Sequence, residues 1–105
     1  MIEKELTQKL SDCSFVLMNP NKCAVAIKDI PQGFSVVAKG LNNDAKKIVT
    51  IAQKLFKLVV EAPEEAEKMY NEIEVDVPFN EYDEFLIDIM EEFRLIKTGS
   101  KRLKK

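Results

Sequence analysis

The feature that most constrains this chain is an Asn-Pro pair, Asn19-Pro20, which separates two short apolar runs. The first run covers residues 15–18 and the second covers residues 23–27. Proline has no backbone N–H and a fixed φ, so it cannot continue a central strand. Asparagine before proline favours turn initiation. The pattern therefore predicts two strands joined by a turn at Asn19-Pro20.

The same pair carries a specific chemistry. The side-chain amide nitrogen of Asn19 can attack its own main-chain carbonyl, which gives a C-terminal succinimide and a new N-terminus at Pro20. The competing deamidation needs the N–H of the next residue, and Pro20 has none. The reaction also needs a strained turn held by its flanking strands. Most Asn-Pro pairs are ordinary turns, so the dipeptide alone leaves self-cleavage as the minority alternative.

The remaining pattern alternates helices and strands. We predict helices over residues 2–10 and 45–56, from Pro63, and from a cap at Asn80 to Gly99, with further strands over residues 34–39 and 57–61 and a linker over 75–78. Ser11 and Asp12 are expected to end the first helix. A strand, a helix and a further strand in one sheet favour a parallel crossover. The sequence predicts one α/β domain with a small mixed sheet of four or five strands, surrounded by about four helices.

Three candidate N-cap residues and two apolar stripes indicate where the second helix begins and which faces of the second and last helices are buried. Asn42, Asn43 and Asp44 are all suitable N-cap residues for the second helix. Behind them, apolar residues recur at helical spacing: Ala45, Ile48, Val49, Ala52, Leu55 and Phe56. The last helix has a stripe of core type rather than a cofactor site: Tyr82, Phe85, Leu86, Ile89, Met90, Phe93 and Ile96.

The net charge of −2 is unevenly distributed along the 105 residues. Residues 1–60 hold nine lysines and five acids, residues 61–92 hold thirteen acids and one lysine, and residues 93–105 hold six basic residues. We expect an acidic helical half and a basic end, both solvated and both available for protein docking. No apolar run approaches the ~18–20 residues of a membrane span, and no secretory signal opens the chain. We therefore expect a cytoplasmic protein.

Cys13 and Cys23 are the two cysteines, and the chain has no histidine. Their spacing is not a zinc pattern, and two thiols do not build a disulfide scaffold. We expect reduced cysteines packed in or near strands. No metal, cofactor or external substrate is expected.

Several ordered motifs resemble the substrate-specificity switch proteins of type III secretion and flagellar export (the FlhB-like family). Residues 19–28 resemble the family stretch NPTH-x-AVALK, and residues 36–40 match VVAKG. Residues 55–70 resemble P-x-x-E-x-P-x-L-A-R-x-L-Y, and Val77, Pro78 and Tyr82 resemble I-P-x-x-x-Y. The resemblance extends from about Ser14 to Lys97.

The resemblance implies a cytoplasmic domain over residues 13–97, preceded by a helix over 1–12 and followed by a basic flexible tail over 98–105. It also implies self-cleavage between Asn19 and Pro20, with Asn19 as the cyclising residue. Asn21 and Lys22 depart from the family's Thr and His. Lysine has no acceptor lone pair, although a cation could stabilise negative charge on the Asn19 carbonyl oxygen.

By this resemblance we expect an accessory component of the flagellar export apparatus, located at the cytoplasmic face of that apparatus. Its partners would be export-gate proteins and export substrates, with Lys22 and Lys28 on the binding face. Because the family's transmembrane helices are missing, a free-standing copy of the cytoplasmic domain is expected, with an excised fragment of a longer protein as the other possibility. The alternative is a small α/β nucleic-acid-binding module that uses Lys101, Arg102, Lys104 and Lys105. The acidic helices and the absence of interleaved aromatic residues weigh against it.

Overall fold

A computed structural model describes residues 3–20 and 22–95. The described elements are, in chain order, α1 (Glu3–Asp12), β1 (Phe15–Asn19), β2 (Cys23–Ile30), β3 (Gly33–Leu41), α2 (Asn42–Lys54), β4 (Leu58–Glu61), α3 (Pro63–Glu72) and α4 (Asp83–Glu92). None of the helices in these two ranges is long and apolar enough to cross a membrane.

The four strands form one mixed sheet in the order β3-β2-β1-β4. β1 pairs antiparallel with β2, and β2 pairs antiparallel with β3, whereas β4 joins the far side of β1 in parallel. The path from β3 through α2 to β4 is therefore the predicted parallel crossover. The fold class is confirmed as a single α/β domain with four described helices around a mixed sheet.

The central strand β1 is buried on both faces because helices cover both sides of the sheet. Phe15 and Leu17 lie in one core, with residues of α3 and α4 such as Met69 and Leu86. Val16, between them, lies in a second core with residues of α1 and α2. This alternation follows from the two-residue period of a strand, and it explains why residues 15–18 form a continuous apolar run.

The predicted linker over residues 75–78 lies along the outer edge of β3. Val75 forms a parallel bridge with Val36, and Phe79 forms an antiparallel bridge with Phe34. The N–H of Phe34 donates to the Phe79 carbonyl at 3.1 Å, and the reverse hydrogen bond is 2.9 Å long. Gly33 permits this approach, because a Cβ there would lie 2.7 Å from the Phe79 oxygen. The segment thus caps one edge of the sheet.

Three helix starts and ends differ from the predictions. α1 continues through Ser11 to Asp12, and the Ser11 hydroxyl donates to the Gln8 carbonyl at 2.7 Å within the last turn. The N-cap of α2 is Leu41, without a side-chain capping bond. The N-cap of α4 is Tyr82 rather than Asn80.

Phe56 does not belong to the apolar face of α2. It has a φ of 60° and its side chain is 95% exposed. Its N–H donates to the Gln53 carbonyl, and the N–H of Lys57 donates to the Ala52 carbonyl, which is the Schellman pattern that ends a helix. A bulky residue in this left-handed conformation costs about 1 kcal/mol or more.

The end of α4 repeats this pattern. Arg94 has a φ of 57°, and the Leu95 N–H donates to the Met90 carbonyl at 2.8 Å. Phe93, the C-cap residue of α4, is 45% exposed, so it departs from the predicted core stripe. Ile96 and Gly99 lie outside the described residues.

Lys39, at the end of β3, holds the C-terminus of α3. Its Nζ donates to the carbonyls of Tyr70 and Ile73 at 2.8 and 2.9 Å, and it lies 4.9 Å from the centre of the Tyr70 ring. α3 has no basic residue in its last turn. A cation from β3 therefore occupies the position where the helix dipole favours positive charge.

Replacing Lys39 with methionine should lower the free energy of unfolding by about 1–3 kcal/mol, because two carbonyls lose a charged donor. Urea denaturation measures the change. Lys68→Met, on an exposed position of α3, is the matched control and should change stability by less than ~0.5 kcal/mol. Equal, small effects of both variants would contradict the proposed contribution of Lys39.

The Cys13 thiol should make the protein sensitive to alkali. Burial raises the pKa of Cys13 from 9.0 to about 11. In the unfolded protein the Cys13 thiol ionises at a lower pH than in the folded protein. The stability that the neutral, buried thiol contributes is therefore complete below pH 9 and is lost as pH rises through 11. We expect a loss of roughly 2–3 kcal/mol over this window, beyond that of a Cys13→Ala variant, by urea denaturation at pH 8 and pH 11. Parallel pH profiles of the two proteins would contradict this prediction.

Candidate functional site at the Asn19-Pro20 turn

The Asn-Pro turn joins two adjacent strands of the sheet. β1 ends at Asn19 and β2 begins at Cys23, and these two residues are Cα partners in the ladder. The N–H of Lys22 donates to the carbonyl oxygen of Asn19 at 2.9 Å, the hydrogen bond that closes a four-residue turn. The predicted position of the turn is thus confirmed, and the carbonyl that cyclisation would attack already accepts a hydrogen bond.

Lys22, the last residue of this turn, makes two further contacts. Its carbonyl accepts the N–H of Asn42, at the start of α2, at 2.8 Å. Its Nζ lies 2.9 Å from Oε2 of Glu67 on α3, in an ion pair whose side chains are 64% and 44% exposed. Lys22 therefore connects the turn to both helical layers.

The Lys22 ammonium pairs with Glu67. The charge-stabilising role that we expected of this ammonium at the Asn19 carbonyl oxygen therefore belongs to a different group. The hydrogen bond and the charge of the Glu67 carboxylate raise the pKa of Lys22 above its ordinary value. The donor on the Asn19 oxygen is the backbone N–H of Lys22. A fixed backbone donor at a carbonyl is the arrangement that stabilises an oxyanion.

Two grooves flank the turn. The first, of about 280 Å³, lies between the turn and α2. Its walls include Met18, Asn19, Pro20, Lys46 and Thr50. The second, of about 350 Å³, lies towards α3 and includes Lys22, Leu41, Glu67 and Tyr70. The turn therefore has accessible space on both sides.

The structure separates the two lysines that were predicted to share a binding face. Lys28 lies six positions beyond Lys22, roughly 20 Å along an extended strand. It borders a different cavity, of about 380 Å³, with Asp12, Ser14 and Lys57. Asn21 and the basic residues of the tail lie outside the described ranges.

Two residues of the site were not predicted from the sequence. Glu67 is one of many acids on a helix, and the sequence pattern around Asn42 indicates only a helix cap. Both reach the turn through contacts between residues distant in the chain. Both cysteines are buried and reduced as expected, and burial raises the pKa of Cys23. In the described ranges, no group of three His, Cys, Asp or Glu residues could hold a metal ion.

Comparison with solved structures shows the same fold in the C-terminal domain of EscU and in the cytoplasmic domain of FlhB. Crystal structures of the EscU C-terminal domain, in an Asn-to-Ala and a Pro-to-Ala variant, each superpose with a TM-score of 0.77 at 16% identity. They cover 90% of this chain and 97% and 96% of the EscU chains. The cytoplasmic domain of FlhB from Shewanella putrefaciens superposes with a TM-score of 0.77 at 18% identity, over 89% of this chain and 79% of that one.

No curated protein matches the sequence. A sequence model of the FlhB HrpN YscU SpaS family, however, matches residues 1–86. This match covers most of the chain and includes the turn, the whole sheet and α3. The chain therefore belongs to the FlhB HrpN YscU SpaS family, the substrate-specificity switch proteins of type III secretion and flagellar export, and it has the fold of their cytoplasmic domain.

Proposed function

We propose that this domain acts as a switch element at the cytoplasmic face of the flagellar export apparatus, where it contacts export-gate proteins and export substrates. The observation that carries the proposal is the Asn19-Pro20 turn, whose carbonyl oxygen accepts the Lys22 N–H at 2.9 Å. The turn projects between two open grooves. A change at this turn would therefore alter a surface that partners can reach.

The chemical step of the switch is cyclisation of Asn19. The side-chain nitrogen attacks the main-chain carbonyl carbon of Asn19, and the negative charge develops on the oxygen that faces the Lys22 N–H. The bond to the Pro20 nitrogen then breaks. That nitrogen leaves as a secondary amine after gaining a proton, while the attacking nitrogen loses one to solvent. The products are a succinimide at Asn19 and a new N-terminus at Pro20.

Cleavage would change the connection between the turn and α3. In the intact chain, Asn19 and Lys22 are joined covalently and by a hydrogen bond, and Lys22 is also paired with Glu67. After cleavage, residues 20–22 would be connected covalently only to β2, and the new N-terminus at Pro20 would add a positive charge. Lys22 belongs to this segment, so the reaction would change its environment. Lys28 lies too far from the turn to be affected directly.

Replacing Asn19 with alanine should abolish cleavage, because no nucleophilic amide remains. Intact mass under denaturing conditions, after several days at neutral pH, measures the fraction split between residues 19 and 20. Asn43→Ala, on an exposed position of α2, is the control and should cleave like the unmodified protein. Cleavage that persists in the Asn19 variant would rule out cyclisation.

Replacing Lys22 with histidine should accelerate cleavage, by about tenfold or more. A neutral imidazole can accept a proton at the turn, whereas a lysine ammonium cannot. Glu67→Gln is the matched control, because it removes the ion pair but keeps Lys22. Equal acceleration by both variants would show that loss of the ion pair, and not the imidazole, causes the effect.

The role in export is tested in a strain whose own switch protein lacks its cytoplasmic domain. Expression of this chain should restore motility and secretion of filament-type substrates. A soluble, folded chain that leaves both unchanged would contradict the proposed role.

A further inference from the structure

Among the described residues, no strand or bridge covers the outer edge of β4. The other edge strand, β3, is covered by Val75 and Phe79, but in the described part of the chain β4 pairs only with β1. The N–H of Ala62 donates to the Met18 carbonyl. Because backbone groups in a parallel ladder alternate between the two sides, Val60 and Leu58 also face β1. Val59 and Glu61 therefore direct their N–H and C=O groups to the open edge.

The charged residues at the two ends of this edge can pair with the same residues of a second copy. Lys57 precedes the strand and Glu61 ends it, with Val59 midway between them. If two copies pair antiparallel about Val59, each Lys57 lies opposite the partner's Glu61, and the two Val59 residues face each other. Opposite charges in directly facing positions stabilise a strand pair, whereas like charges disfavour it. No other register with outward groups paired brings both opposite-charge pairs together.

The exposed Phe56 adjoins the same edge. It lies one residue before Lys57, with 95% of its side chain accessible in a left-handed backbone conformation. Aromatic side chains are enriched at protein interfaces, and this one lies beside the outer edge of β4. Its position just before β4 offers the edge an apolar contact beyond the backbone hydrogen bonds.

We propose that the β4 edge binds a second copy of this chain, in an antiparallel pairing centred on Val59 that extends the sheet across both copies. The Lys57 N–H already donates to Ala52, so each pairing would use the Val59 groups, the Glu61 N–H and the Lys57 carbonyl, about four hydrogen bonds in all. A strand of four residues is short, so the association is weak, with a dissociation constant on the order of 0.1 mM. This interface is separate from the Asn-Pro turn and does not depend on cleavage.

Sedimentation velocity from about 10 µM to 1 mM, at low salt, tests the pairing. The unmodified protein should show a concentration-dependent monomer–dimer equilibrium. Lys57→Glu and Glu61→Lys should each weaken it by roughly tenfold, because each variant places like charges opposite each other. Lys54→Glu, exposed near the end of α2, is the matched control and should dimerise like the unmodified protein.

Mixing the two single variants provides the decisive comparison. A heterodimer of Lys57→Glu with Glu61→Lys has opposite charges at both facing positions, so it should form about as well as the unmodified dimer, although each variant alone self-associates roughly tenfold more weakly. The double variant Lys57→Glu/Glu61→Lys should also recover the dimer. Circular dichroism confirms that each variant is folded. A protein that stays monomeric up to 1 mM would overturn the proposal, and so would a dimer whose stability does not change with these charge substitutions. Binding of an extended peptide from another protein at this edge, in place of a second copy, would overturn it as well.

Discussion

The antiparallel pairing of β1 with β2 is the constraint on which the rest of the structure depends. It brings Asn19 opposite Cys23 and closes the Asn-Pro turn with a backbone hydrogen bond. The same β1 also pairs with β4 on its other side, so the strand that ends in Asn19 is fixed by neighbours on both edges. Buried side chains on both faces hold it further. Asn19 and Pro20 thus follow a strand that is paired on both edges and buried on both faces.

Lys22 of the turn and Lys39 of β3 connect this strand system to α3. Lys22 contacts Glu67 within the helix, and Lys39 contacts the carbonyls of Tyr70 and Ile73 at its end. The first contact is exposed and contributes little to stability by itself. The second is partly buried and satisfies backbone groups that would otherwise lack donors. A change at the turn would therefore act on the weaker of these contacts, because Lys39 lies outside the turn.

The sequence predicted the parts of the structure that depend on local chemistry. The turn at Asn19-Pro20, the four strands and the start of α3 at Pro63 follow from proline geometry and apolar periodicity. The end of α2 could not be predicted, because helical spacing continues through Phe56 while the backbone reverses there. The contact between Lys22 and Glu67, 45 positions apart, and the bridges of Val75 and Phe79 depend on tertiary packing that no local pattern records.

The hydrogen bond from the Lys22 N–H to the Asn19 carbonyl is tested most directly by NMR on freshly purified, uniformly labelled protein. A through-hydrogen-bond coupling between the Lys22 nitrogen and the Asn19 carbonyl carbon, together with slowed exchange of the Lys22 amide, is the predicted result. An amide that exchanges at the rate of an unstructured peptide, without any coupling, would show that the turn is open. The Asn19 carbonyl would then lack the donor on which the proposed cleavage depends.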